Sequence, residues 1–167
     1  GQVLAPDGTP FSGAALRYFG REPDPGVVPK PNAVSDREGR FRFTVAKAQA
    51  GHLWQHHTVV ASAEGYGPDW GTLSDPGQGP KLTLRLATDD VPIAGRVLDL
   101  QGKPVAGAVV RLERIETSRE GTLDHYLDAW KRGDINAETS LRKVLFTPEL
   151  AGLPNSVKAG QDGRFRL

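Results

Sequence analysis

The chain has 167 residues, with 21 Lys and Arg against 20 Asp and Glu for a net charge of +1, and it contains no cysteine. Charge so evenly balanced, with no basic block, leaves out the electrostatic footprint of a nucleic-acid binder. The missing cysteine leaves out a disulfide frame, a thiolate zinc site and a cysteine nucleophile. With 20 glycines and 13 prolines many turns and few long helices are expected, hence an all-β fold, and no apolar run approaches the roughly 18 residues of a membrane span.

In chain order, a first strand is predicted over residues 2–4, a turn at Asp7-Gly8, and a second strand over 14–19. Residues 20–31 contain four prolines and read as an extended loop, because proline lacks the donor a central strand needs. Residues 33–45 read as strand, tight turn, strand, with Phe41, Phe43 and Val45 on one face and Arg40, Arg42 and Thr44 on the other. A connector over 46–54 leads to a strand in which Val59, Ala61 and Ala63 alternate, then to a corner at residues 65–68. Residues 81–87 place Leu82, Leu84 and Leu86 inward against Lys81, Thr83 and Arg85. Asp89-Asp90-Val91-Pro92 is short and proline-stiffened, a linker that restricts the relative orientation of what it joins.

The same signals then return. Laying Gly1 on Gly95, an offset of 94, matches Val3 with Val97, Leu4 with Leu98, Gly8 with Gly102, Pro10 with Pro104, Gly13 with Gly107, Ala14 with Ala108 and Arg17 with Arg111. Further on, Gly39 matches Gly163, Arg40 matches Arg164 and Phe41 matches Phe165 at an offset of 124, so 124 − 94 = 30 residues are inserted into the second copy. The expected organisation is a β-sandwich unit over 1–88, a linker over 89–93, and a second, truncated unit over 94–167 with an insertion at about 118–150.

After Arg114 the apolar period changes from 2 to 3.6. Leu123, Tyr126, Leu127 and Trp130 form one helical stripe, with Thr122 as the predicted N-cap and Gly133 as the stop. A second helix is predicted from about Ala137 to Phe146, with Leu141, Val144 and Leu145 apolar, Glu138 four residues before Arg142, and Pro148 ending it. The insertion is expected to be a helical hairpin whose apolar faces pack on each other or on the sandwich.

Gly1 lacks a counterpart of the residues before Gly95, and Leu167 falls in mid-strand, so the expectation is an excerpt of a longer protein. The second unit has no counterpart of residues 59–68 or 81–86. Val97, Val105, Val109 and Leu112 would each forgo about 1.5–3 kcal/mol of burial if nothing covered them. Completion by further chain, by a partner or by strand exchange between copies is expected.

The strand pair in "GRVLDLQGKPVAGAVVRL", the D-x-x-G-x-F hairpin in "SDREGRFRF" and the A-x-A-x-G-Y corner in "VVASAEGYGP" together resemble carboxypeptidase regulatory-like domains. The resemblance covers the first unit nearly whole and about half of the second. It implies a transthyretin-like, seven-stranded Greek-key sandwich of immunoglobulin size, here in tandem, the second sandwich incomplete and interrupted by the helical hairpin. It also implies a non-catalytic spacer or interaction module of a larger bacterial envelope or secreted protein, extracellular or periplasmic. Its partner would be a protein, the remainder of the same chain, or a cell-wall glycan, with no cofactor. Two alternatives are a carbohydrate-binding module appended to a secreted enzyme and the regulatory module of a zinc carboxypeptidase. The chain departs from the family pattern in its insertion and at Gly160, which stands where the first copy has Asp36; this puts a shared metal role for that loop in doubt.

Candidate chemistry is sparse. His52, His56 and His57 could share a zinc, but no acidic or thiol third ligand lies at a matching spacing. Asp36, Glu38 and Asp162 could offer oxygen to calcium, although D-x-x-G is also the pattern of a tight turn. Asp124 and Asp128 lie opposite the apolar stripe and read as a solvated face. Among Trp54, Tyr66, Trp70 and Trp130, which could stack on sugars, Tyr66 is expected to plug the end of the core and Trp130 to pack the insertion. Trp70, beside Asp69 in a Gly/Pro-rich stretch read as a loop, is the candidate ligand contact. No nucleophile elbow, zinc-protease helix or phosphate loop is present, and no enzyme activity is expected.

Overall fold

The computed structural model describes residues 1–19, 28–44, 57–73, 82–88, 92–119, 121–146, 148–153 and 156–167, with backbone alone for 138 and 139. The described residues form an all-β fold with two short helices. In the first repeat a five-stranded sheet runs in the order β3 (Ala33–Val34), β2 (Ala15–Phe19), β4 (Thr58–Ala63), β5 (Tyr66–Thr72) and β7 (Ala87–Thr88), every pair antiparallel. Facing it, β1 (Gln2–Leu4) pairs in parallel with β6 (Thr83–Arg85), Val3 opposite Leu84, and bridges on its other side from Gln2 to Arg40.

Alternation decides the core. Val3, Ala14, Leu16, Val59, Ala61, Leu84 and Leu86 are buried between the two layers, with Phe11, Phe41, Phe43 and Tyr66 packed around them. The leucine alternation read over residues 81–87 holds for its described part: Leu84 and Leu86 are buried, whereas Thr83 and Arg85 are exposed. Burying each such side chain stabilises by about 1.5–3 kcal/mol. Tyr66 closes the end of this core, edge-on to Phe11 with ring centroids 4.9 Å apart.

The second repeat reproduces two strand pairs of the first. β8 (Ala94–Arg96) pairs antiparallel with β13 (Arg164–Arg166), as Gln2 bridges Arg40, and β9 (Val109–Arg111) pairs with β12 (Ser156–Lys158) as β2 pairs with β3. The backbone hydrogen bonds correspond. Val3 N–H donates to the Gly39 carbonyl at 2.7 Å and Val97 N–H to that of Gly163 at 2.8 Å; Phe11 donates to Val3 and Val105 to Val97. Gly39 and Gly163 both sit at positive φ, +70° and +75°, and a Cβ on either would run into the Val3 or Val97 carbonyl. Glycine is therefore needed twice, for the same reason.

The insertion differs from the expected helical hairpin. β10 (Ile115–Ser118) and β11 (Arg142–Leu145) form an antiparallel ribbon, with α1 (Asp124–Lys131) and α2 (Ile135–Leu141) at its far end. The predicted second helix stops at Leu141 because residues 142–145 gain a cross-strand ladder: Leu145 lies opposite Ile115, and Arg142 pairs with Glu116 at 3.4 Å. A run such as Lys143-Val144-Leu145-Phe146 fits strand or helix equally well by period, and the partner strand decides. Pro148 opens a 3₁₀ turn, Pro148–Ala151. Thr122 is not the N-cap of α1. Leu123 holds that place with no side-chain cap, whereas Asp134 caps α2 by accepting from Ala137 N–H at 3.0 Å. Gly133, at φ +68°, follows the α1 C-cap as expected.

Candidate functional site

The outer face of the five-stranded sheet is where the two repeats meet. Phe19, Val60 and Trp70 lie there in adjacent strands and are buried with Leu145 of β11 and Leu150 and Ala151 of the 3₁₀ turn, flanked by Ile115 and Leu153. β4 is thereby covered on both faces: Val59, Val60 and Ala61 are at most 1% exposed. The insertion supplies a second apolar core that neither repeat could make alone.

A polar clasp closes this core. Asp69 accepts from Trp70 N–H at 2.9 Å and from Arg85 N–H at 2.7 Å, and its carboxylate pairs with Lys143 Nζ of β11. The Lys143 ammonium stands 5.4 Å from the centre of the Trp70 ring, within cation–π range. Trp70 Nε1 is buried and finds no hydrogen-bond acceptor among the described residues, a cost of about 1–3 kcal/mol that the surrounding packing outweighs.

This placement corrects the reading of Trp70. It lies within β5, not in a loop, and at 4% exposure its ring offers no face to a glycan. Trp130 is corrected in the opposite direction. It does not pack the insertion; it is 63% exposed, with Leu123 and Leu127 on the same stripe also exposed, while Ala129 is the residue α1 buries. Sequence periodicity finds an apolar stripe but not whether a neighbour exists to cover it.

Of the histidine trio, His52 and His56 lie outside the described residues, as does Trp54. His57 is fully buried, with Nδ1 hydrogen-bonded to the Tyr18 hydroxyl and the two rings stacked at 5.6 Å. Burial raises the Tyr18 phenol above its usual value of 10.0. Among the described residues no group of three or more His, Cys, Asp or Glu could hold a metal. Asp36 uses Oδ1 to accept from Glu38 and Arg40 N–H, and Asp162 likewise accepts from Arg164 N–H. These carboxylates are thus occupied in closing turns, and Asp99 does the same for Gln101 and Lys103. Asp128 forms a surface pair with Lys131 at 3.6 Å.

A second feature lies on the second repeat. β8 and β9 each pair on one side only among the described residues, whereas their counterparts β1 and β2 are paired on both. Val3 and Leu16 are 0% exposed, but their counterparts Val97 and Val110 stay half-buried. An open hollow of about 720 Å³ borders β8 and β13, lined by residues of both strands, among them Arg96, Arg164, Phe165 and Arg166, and by Lys158. Across β8 and β13, Arg96 and Arg164 stand opposite each other. Sequence reasoning did not single out this band of cations, which becomes visible only when the two strands are laid side by side.

No family model matches the chain, and no curated protein does. A solved structure of a streptococcal ancillary pilin is similar at a TM-score of 0.30 and 14% identity, over 99% of this chain and 47% of that one. The chain thus spans about half the length of that pilin, and likeness at this level carries no conclusion about fold or function. No helix of the described residues is long and apolar enough to cross a membrane.

Proposed function

We propose that this chain is a non-catalytic spacer and interaction segment of a larger bacterial envelope or secreted protein. In this reading it is built from two tandem transthyretin-like sandwiches of the carboxypeptidase regulatory-like kind, over 1–88 and 94–167, the second incomplete. The supporting observation is the buried junction of Phe19, Val60 and Trp70 with Leu145, Leu150 and Ala151. A spacer transmits position only if its units hold a fixed orientation, and an apolar core shared between repeats does that more firmly than a linker can. Regions 1–88 and 94–167 then act as one rigid body, displaying the α1–α2 end of the insertion on one side.

The reading is tested by spin-label distances between exposed sites, one on each repeat, in the intact chain. A single narrow distribution is expected, broadening in Leu150→Asp, which places a charge in the junction. A broad distribution in the unaltered chain would remove the rigid-spacer reading. A thermal-shift screen against cell-wall glycans tests the rival sugar-binding module. A ligand at a hundredfold its Kd stabilises by about 2.7 kcal/mol, a shift of several degrees. Such a shift abolished by Trp130→Ala would replace the spacer with that module.

A further inference from the structure

We propose that Arg96 and Arg164, on the outer face of β8 and β13, form a binding site for a tetrahedral oxyanion, a phosphate group either free or carried on a polymer. The two arginines stand directly opposite each other in the ladder, and like charges so placed work against the strand pairing. A single residue anchors both. Arg96 Nε donates to the Asp162 carbonyl at 2.7 Å, and Arg164 Nε pairs with the Asp162 carboxylate at 3.3 Å. Among the described residues the Nη groups of both arginines have no partner. A carboxylate is matched by one guanidinium fork, whereas a phosphate group has oxygens enough for two forks and a charge of about −1.5 to −2 at pH 7 to match them.

The first repeat lacks the second arginine and serves as the comparison. Gln2, at the position of Arg96, donates from its side-chain amide to the Glu38 carbonyl at 3.0 Å, and Glu38 is the counterpart of Asp162. Arginine in place of glutamine therefore keeps the anchoring hydrogen bond and adds a charged fork. Two neighbouring exchanges have the same sense: Lys158 stands for Val34, and Gly160 for Asp36. The hollow beside β8 and β13 is thus lined by three arginines and one lysine, a charge of +4, whereas its counterpart in the first repeat has Arg40, Arg42 and Asp36, a charge of +1. Arg166 and Lys158 extend the positive field beyond a single phosphate group, which favours a chain of them.

These groups face water independently of what pairs with the other side of β8. In the first repeat β6 lies against β1, and yet Arg40, Arg42, Thr83 and Arg85 on the outer face are all exposed. A strand beside β8 would leave Arg96 and Arg164 in water in the same way. The site also stands whether or not the repeats act as a rigid spacer.

The experiment follows the arginine Nε–H resonances of the intact 167-residue chain by NMR at low salt, where surface charges are least screened. The probes are orthophosphate, inorganic polyphosphate and poly-glutamate. The Arg96 and Arg164 signals are expected to shift saturably with phosphate; saturation by orthophosphate identifies the free ion as a sufficient ligand, and saturation by polyphosphate alone identifies the polymer. Arg96→Gln, which keeps the hydrogen bond that Gln2 makes in the first repeat, is expected to weaken binding about tenfold, with the backbone amide spectrum as the check on its fold. Arg40→Gln in the first repeat is expected to leave binding unchanged. No shift with either phosphate probe, equal binding of poly-glutamate, or an affinity that Arg96→Gln leaves unaltered would overturn the proposal.

Discussion

At Trp70 the indole is held between Phe19 and Val60 of the first repeat and Leu145 and Leu150 of the second. Trp70→Ala is expected to cost about 3–5 kcal/mol, the range for emptying a large aromatic site, read as a lower denaturation midpoint. Trp70→Phe keeps most of the packing and removes the buried N–H that finds no acceptor among the described residues, so its cost is expected near 1 kcal/mol. Equal losses in the two variants would mean that the junction is not packed as described. Tyr18 gives the pH dependence. Its phenol is raised in the folded state by burial, so the unfolded chain loses that proton first. The folded state then binds more protons, and its stability is full below about pH 10 and falls as pH rises beyond it. Tyr18→Phe is expected to remove this share of the alkaline loss; an unchanged alkaline limb would exclude Tyr18 as its source.

Among the elements, the turns leading into residue 40 and into β13 show how closely the repeats correspond. Gly39→Ala and Gly163→Ala each combine a positive φ with a Cβ driven into a carbonyl, and each is expected to destabilise by about 1–3 kcal/mol. Gly13→Ala and Gly107→Ala have the same sign of φ but open space around the new methyl group, so about 1 kcal/mol is expected. A result in which Gly39 and Gly163 tolerate alanine as well as Gly13 would refute the shared turn. β11 provides the contrasting case. Lys143 and Asp69 pair at 21% and 14% side-chain exposure, so Lys143→Ala is expected to cost about 1–3 kcal/mol, below the 3–5 of a fully buried pair. Faster hydrogen exchange in β10 and β11 should accompany it.

For the whole molecule, the shared outer core couples the repeats. The intact chain is expected to unfold in one calorimetric transition, and Leu150→Asp is expected to split it in two, the lower belonging to the second repeat. Two transitions in the unaltered chain would show that the junction does not couple them. The sequence by itself determined the repeat, the Asp36–Arg40 turn and the inward Leu84 and Leu86, because each rests on self-similarity, on an interaction within a few residues or on a period of two. Only the tertiary structure decided that residues 142–145 form a strand, that Trp70 is buried and that Trp130 is exposed. The physical reason is the same for all three. A short apolar run states that something must cover it, whereas the identity of the cover depends on a distant partner: β10 for β11, and the 3₁₀ turn and Leu145 for Trp70.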